Sequence, residues 1–114
     1  MRESNMDRFL AKIGRGEMPV GAVTTFTDAA VTEVVAAAGF DFVWVDGEHG
    51  VIDRKTAQDH LIAAQACGLT SVYRVPSCDH TEIKRIIDFD PDVILVPMVM
   101  NEQDVARAVS ACRY

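Results

Sequence analysis

Short apolar runs alternate with segments of helical periodicity, and this alternation limits the possible folds more than any other feature of the chain. Four runs have the composition of β-strands: residues 20–23, 42–45, 71–75 and 93–96. They begin about 24 residues apart on average, which leaves room for one helix after each strand. The run 42–45 is apolar on both faces, as is typical of a buried parallel strand. Strand followed by helix, four times over, predicts an α/β fold with a parallel sheet and right-handed crossovers.

Capping residues mark where the helices begin and end. Side chains suited to N-caps precede the four helices that follow the strands: Thr27 and Asp28, Asp53, Asp79, and Asn101. Gly39 and Gly68 suit the left-handed position that ends a helix. A preliminary helix is predicted over residues 7–13. The apolar spacing of the last helix predicts an inner face made of Val105, Ala108, Val109 and Cys112.

Eight βα units form a (β/α)8 barrel, so four units after a preliminary helix predict the N-terminal half of a TIM barrel. We expect residues 1–114 to be one partial barrel domain whose second half is absent from this chain. A flavodoxin-like receiver domain is a distant alternative, with Asp46 as the phosphoacceptor. That phospho-switch needs an acidic pair after its first strand, where this chain has threonines and a phenylalanine at 24–27.

Charge and composition exclude several classes of partner. The net charge is −6, and Lys and Arg are scattered, whereas phosphate binding needs a basic stripe. No apolar run approaches the roughly 20 residues that span a bilayer, and the first residues do not resemble a secretion signal. The three cysteines are unclustered and match no disulfide or metal framework. We expect a cytoplasmic protein with neither nucleic acid nor membrane as a partner.

Chemistry in parallel α/β folds concentrates where strands end, and the second strand ends in Asp46-Gly47-Glu48-His49-Gly50. Three ionisable groups directly after a buried strand destabilise the fold unless they pair with one another or have a function. Histidine is the side chain best suited to proton transfer near neutral pH, so His49 is a candidate acid/base, with Asp46 orienting its ring. The alternative is a solvated loop with two acids and a histidine.

Arg74 lies at the end of the third strand, in an apolar context. Its planar fork suits a carboxylate or phosphate ligand, and an internal ion pair with Asp46 or Glu48 is an equally good interpretation. His60 and His80 are predicted to be surface residues. The threonines at 24, 25 and 27 are a weak signal for substrate binding, and no complete metal site is visible in the sequence.

Four segments resemble the HpcH/HpaI aldolase family, in order and spacing: AGFDFVWVDGEHG, VYRVPS, IKRIID and VILVPMV. These are class II, metal-dependent pyruvate aldolases, and the resemblance covers residues 9–114. It implies that His49 is the catalytic acid/base, that Asp46 pairs with it, and that Arg74 is catalytic and binds the pyruvate carboxylate and keto oxygen. One departure, Asp90-Pro91 in place of a glycine-containing turn, lies away from these residues.

The resemblance also implies a reaction and its requirements. The complete enzyme would be a lyase that cleaves a 2-keto-4-hydroxy acid into a small keto acid and an aldehyde, or forms it from them. Its divalent metal, magnesium or manganese, would be held by residues beyond 114, so this chain alone is expected to be inactive. A homo-oligomer, a hexamer by resemblance, is expected. An oxaloacetate decarboxylase or a malyl- or citramalyl-CoA lyase remains the alternative within the barrel.

Overall fold

The computed structural model describes residues 2–113 as one parallel sheet with helices packed on it. The elements in chain order are α1 (Asn5–Gly14), β1 (Gly21–Thr24), α2 (Ala30–Ala37), β2 (Phe42–Asp46), α3 (Arg54–Cys67), β3 (Thr70–Arg74), α4 (His80–Ile87), β4 (Val93–Leu95) and α5 (Glu102–Ala111). All four strands and all five helices predicted from the sequence are therefore present, with ends shifted by at most three residues.

Side-chain caps account for most of the helix starts. Asp53, Asp79 and Asn101 each accept a hydrogen bond from a backbone N–H of the helix that follows, as predicted. Helix α2 differs, because its N-cap is Ala29 and no side chain caps it. Asp28 instead accepts from the Ala30 amide at 2.9 Å, an Asx turn that delays the helix start.

The sheet has the sequential order β1-β2-β3-β4, and every neighbouring pair is parallel. Sequential order is the arrangement of a barrel, in which each strand lies beside the previous one. A receiver domain has the order 2-1-3-4-5, with its first strand in the interior of the sheet. Here β1 pairs with β2, and β2 pairs with β3, so the receiver interpretation is wrong and the N-terminal part of a TIM barrel is confirmed.

The two faces of the sheet are covered differently. The face toward the helices is fully buried, with Val43, Val45 and Tyr73 at 4% exposure or less. The opposite face carries Trp44 and Val72, both partly exposed, because side chains alternate along a strand. Asp46 and Arg74 follow the same alternation, so they lie on this second face at the C-terminal end of the sheet.

Helix α1 covers the opposite, N-terminal end of the sheet. The Asn5 side chain donates to the Leu69 carbonyl at 2.9 Å, and the rings of Phe9 and Phe42 meet edge to face with their centroids 5.9 Å apart. With this end covered by α1, the loops at the C-terminal ends of the strands form the other rim of the sheet.

The predicted inner face of α5 is wrong by about one position. Ala111 is fully buried and Ala108 packs against the core, whereas Val105 and Val109 are about half exposed. Cys112 is also exposed. The small residues of α5, not its larger apolar ones, therefore pack inward, which lets the helix approach its neighbours closely.

His60 is fully buried, so the prediction that it is a surface residue is wrong, whereas His80 is exposed as predicted. The burial follows from helical spacing, since His60 lies in the stripe that also contains Ala57, Leu61 and Ala64. A polar residue inside such a stripe packs inward when partners for its polar atoms are available.

We predict that Ile83→Ala lowers the free energy of unfolding by about 2–5 kcal/mol, because Ile83 is fully buried and truncation leaves a cavity. Ile62→Ala is the matched control, since Ile62 is 58% exposed and its loss should change stability by less than about 0.5 kcal/mol. Urea unfolding of both variants measures the difference. Equal losses would show that α4 does not pack on the sheet as described.

Candidate active site

Two strand ends bring the predicted site residues together. Asp46 is the last residue of β2, Arg74 is the last residue of β3, and they are partners in the register of the parallel ladder. Both therefore lie at the C-terminal edge of the sheet, where parallel α/β proteins place their functional groups. The loop that follows Asp46 carries Glu48 and His49 over the same edge.

The Asp46 carboxylate is buried and binds four N–H donors. Arg74 donates to it through Nε at 2.9 Å and through Nη2 at 2.5 Å, a bidentate pair. The backbone amides of Glu48 and His49 donate to Oδ1 at 3.0 and 3.1 Å. The Arg74 hydrogen bonds, helped by these amides, lower the pKa of Asp46 to about 2. Asp46 is thus a fixed negative charge that orders both the arginine and the start of the loop.

Arg74 is held from three sides. Besides Asp46, its Nη1 lies 3.2 Å from the Glu48 carboxylate, and its guanidinium carbon lies 5.2 Å from the centre of the Trp44 ring. The hydrogen bonds to Asp46 raise the pKa of Arg74, which stays charged. Those bonds use two of the five N–H donors of the guanidinium, so others remain for an anion. The internal ion pair and the capacity to bind a ligand therefore coexist.

The imidazole of His49 stands apart from this buried pair. Its side chain is 73% exposed, and its Nε2 lies 3.7 Å from the nearer Glu48 oxygen. The expected pairing of Asp46 with the imidazole is not found in the structure, because the oxygens of Asp46 bind Arg74 and backbone amides. Asp46 holds His49 through its backbone and leaves the ring free to turn.

Gly47 lets the loop pass close to β3. Its N–H donates to the Arg74 carbonyl at 2.9 Å, so the loop continues the β2–β3 contact beyond the ladder. A Cβ at this position would lie 2.2 Å from the Tyr73 hydroxyl oxygen and 2.6 Å from the Arg74 carbonyl oxygen. Only glycine fits this close approach.

Some other residues at this edge of the sheet could be predicted from the sequence, and others could not. Thr24 is buried, and its hydroxyl accepts from the Phe26 amide at 3.2 Å, so it is a structural residue. Glu48 pairs with Arg74, which was one of the two ion pairs considered from the sequence. The contact of Trp44 with Arg74 and the left-handed backbone of Met98, with φ 57°, were not predicted. Strand alternation could have identified Trp44, since it lies two residues before Asp46 on the same face.

The described residues do not form a metal site. Among residues 2–113, no group of three or more His, Cys, Asp or Glu side chains is placed to hold an ion. The donor chemistry agrees, because the oxygens of Asp46 are occupied and Glu48 faces Arg74. A metal would therefore need ligands from elsewhere, and no catalytic step through a metal can be assigned to these residues.

We predict that Gly47→Ala forces β3 and the loop apart and lowers the free energy of unfolding by about 1–3 kcal/mol. Gly14→Ala is the control, because a Cβ there meets nothing within 4 Å. Thermal unfolding of the two variants measures the effect. A Gly47→Ala variant as stable as Gly14→Ala would contradict the close approach of the loop to the Arg74 carbonyl.

We also predict an acid-labile contribution from Asp46. Since its pKa is about 2 in the folded protein, below the usual value of 3.8, it stabilises the fold fully above about pH 4 and loses this effect as the pH falls toward 2. The contribution is about 2 kcal/mol, from 1.36 kcal/mol per pKa unit. Unfolding free energies measured between pH 5 and pH 2 should fall less steeply for Asp46→Asn, and parallel curves would disprove the assignment.

Comparison with known proteins places this arrangement in a family. The sequence profile of the HpcH/HpaI aldolase/citrate lyase family matches residues 24–114. The 4-hydroxy-2-oxovalerate aldolase of Rhodococcus jostii is 38% identical over 98% of this chain and 44% of its own length. The hydroxypyruvate/pyruvate aldolase of Roseobacter denitrificans is 31% identical over 96% of this chain and 43% of its own length.

The fold agrees with this result. The crystal structure of the citrate synthase SbnG superposes with a TM-score of 0.84 at 30% identity, over 91% of this chain and 42% of that one. The chain thus spans less than half the length of the relatives that it matches. Because the family profile covers most of the chain, and does so through both strand ends that carry the site, the chain belongs to the HpcH/HpaI aldolase/citrate lyase family.

Proposed function

We propose that this chain carries the keto-acid-binding part of an aldolase that cleaves or forms a 2-keto-4-hydroxy acid. The observation that supports it is the Arg74 guanidinium, held by Asp46 and Glu48, with the exposed imidazole of His49 3.7 Å from the same Glu48 carboxylate, in a member of an aldolase family. The curated relatives are named as aldolases, and their names do not favour the alternative lyases or decarboxylase over that activity.

Cleavage of such a substrate requires two things from the protein. A base removes the proton of the C4 hydroxyl, the bond between C3 and C4 breaks, and an aldehyde leaves. The electron pair of that bond remains on the keto acid as an enolate, which is then protonated at C3 to give pyruvate. The protein must therefore stabilise a developing oxyanion and move a proton.

We assign the first task to Arg74. Its remaining N–H donors suit the carboxylate and keto oxygen of a 2-keto acid, and its charge would stabilise the enolate oxygen as it forms. Asp46, Glu48 and Trp44 hold the guanidinium before any ligand arrives, so little reorganisation is needed at the moment of reaction. In this proposal Asp46 serves the reaction by bracing Arg74.

We assign the second task to His49. Its ring is exposed and its backbone is fixed by Asp46, so it can turn toward the C4 hydroxyl of a bound substrate. The Glu48 carboxylate lies 3.7 Å from Nε2, on the side of the ring that faces the cluster. General base catalysis of this kind contributes roughly a hundredfold to ten-thousandfold in rate.

The remaining expectations depend on parts of the protein outside the described residues. Aldolases of this family generally depend on a divalent metal, and we propose that magnesium or manganese binds through residues after 114. The partial barrel domain over 1–114, the homo-oligomer and the cytoplasmic location also remain proposals. No helix within residues 2–113 is both long and apolar enough to cross a membrane.

Arg74 and His49 should fail differently when replaced in the protein at its natural length. Arg74→Lys loses the planar fork and should slow both aldol cleavage and oxaloacetate decarboxylation, since both pass through the enolate. His49→Ala should slow cleavage by about two to four orders of magnitude and decarboxylation much less, because that substrate has no C4 hydroxyl to deprotonate. The ratio of the two rates is the measurement.

His80→Ala is the matched control, since His80 is an exposed histidine on α4 and should leave both rates unchanged. Equal loss of both activities in His49→Ala would show that His49 binds substrate or supports structure and does not transfer the proton. Absence of any cleavage of 2-keto-4-hydroxy acids by the unmodified protein, with magnesium or manganese supplied, would overturn the proposed function itself.

A further inference from the structure

His60 is a buried titratable side chain that the proposed reaction does not use. It lies on α3 with no exposed surface, 14 residues after Asp46, and both of its ring nitrogens have partners. Nδ1 lies 2.7 Å from the hydroxyl of Thr32 on α2, and Nε2 lies 2.8 Å from the backbone carbonyl of Phe26. An unpaired buried imidazole would be strongly destabilising, so the ring holds these two groups together.

The chemistry of the partners sets the state of the ring. A carbonyl oxygen can only accept, so Nε2 must carry the proton that it donates to Phe26. In the neutral ring Nδ1 is then the acceptor, and the Thr32 hydroxyl donates to it. Thr32 is itself fully buried, so water does not compete for its hydrogen bond with Nδ1.

The Phe26 carbonyl belongs to the loop between β1 and α2, residues 25–29, which lies at the C-terminal edge of the sheet. Its other recorded hydrogen bonds are local, to Thr24 and to the first residues of α2, and the Phe26 side chain is 66% exposed. It lies close to the loop of the candidate active site, since a Cβ added to Gly50 would be 3.1 Å from the Thr25 Cβ. The β1–α2 loop therefore lies beside the loop that carries His49, next to Gly50.

We propose that His60 is a positioning residue, which fixes the β1–α2 loop through the Phe26 carbonyl and so supports the adjoining loop that carries His49. The effect on catalysis rests on the proposed aldolase function, whereas the anchoring of the loop does not. The imidazole acts at a distance from the substrate, by restricting a loop that would otherwise move.

Two substitutions separate the two hydrogen bonds. His60→Gln places an amide N–H near the Nε2 position, so it can still donate to the Phe26 carbonyl. His60→Asn reaches only the Nδ1 position, so it can still pair with Thr32 but leaves the loop carbonyl without its donor. If His60 positions the loop, the His60→Asn variant should lose the anchoring of the loop and the His60→Gln variant should retain it.

Hydrogen exchange of the amides in residues 25–29, measured in the protein at its natural length, tests the anchoring directly. His60→Asn should accelerate their exchange about tenfold or more and leave the amides of β2 and β3 unchanged, while His60→Gln should remain within about threefold of the original. Ile86→Val is the control for general destabilisation, since it trims a buried residue of α4 without touching this loop.

Kinetics supply the second readout. His60→Asn should raise KM for the keto acid about tenfold with kcat within about threefold, and His60→Gln should restore KM. Loop exchange in His60→Asn equal to that of the original protein, or accelerated to the same degree throughout the sheet, would overturn the proposal. If the unmodified protein cleaves no keto acid, the aldolase function fails, and the exchange experiment still decides the role of His60.

A spectroscopic measurement needs no variant and covers the case in which His60→Asn does not fold. Nitrogen-15 NMR of the imidazole should show the Nε2–H tautomer of His60, with a ring proton protected from exchange. An Nδ1–H tautomer would mean that Nε2 does not donate to the Phe26 carbonyl, and the proposal would then be wrong.

Discussion

The ion pair between Asp46 and Arg74 is the interaction on which the C-terminal edge of the sheet depends. Its carboxylate accepts from the side chain of one strand end and from two amides of the loop that follows the other. Removing Arg74 would leave the buried Asp46 carboxylate without its counter-ion, which typically costs about 3–5 kcal/mol. The pair therefore joins β2, β3 and the loop of the candidate active site into one unit, and Gly47 allows the close approach that this unit requires.

The elements of the fold could be predicted because their signals are local. Strand composition, N-cap side chains and the glycine after α3 act within a few residues of the chain, and nearly all of them have the expected structural role. Which face of a helix packs inward depends on the neighbouring elements. For α5 the rule that large apolar residues face the core predicted Val105 and Val109, whereas small residues allow α5 to approach its neighbours.

In the candidate site, too, the positions of the polar residues could be predicted from the sequence but their contacts could not. The rule of strand ends identified Asp46, His49 and Arg74, because it depends only on where buried strands stop. The partner of Asp46 could not be read in the same way. His49 is three residues away along the chain, whereas Arg74 is 28 residues away and becomes the neighbour only through the register of β2 and β3. Sheet register therefore decides which group the carboxylate binds.

Exposure increases steadily across the cluster, and this gradient has a chemical meaning under the proposed reaction. The side chain of Asp46 is 5% exposed, that of Arg74 is 21% exposed and that of His49 is 73% exposed. Stabilising an oxyanion requires charge that is already in place, which burial and multiple hydrogen bonds provide for Arg74. Transferring a proton requires a group that can approach the substrate and then reach water. The His49 ring meets this requirement, because it is exposed while its backbone is ordered. The Asp46 carboxylate can therefore support both Arg74 and His49 without binding the imidazole.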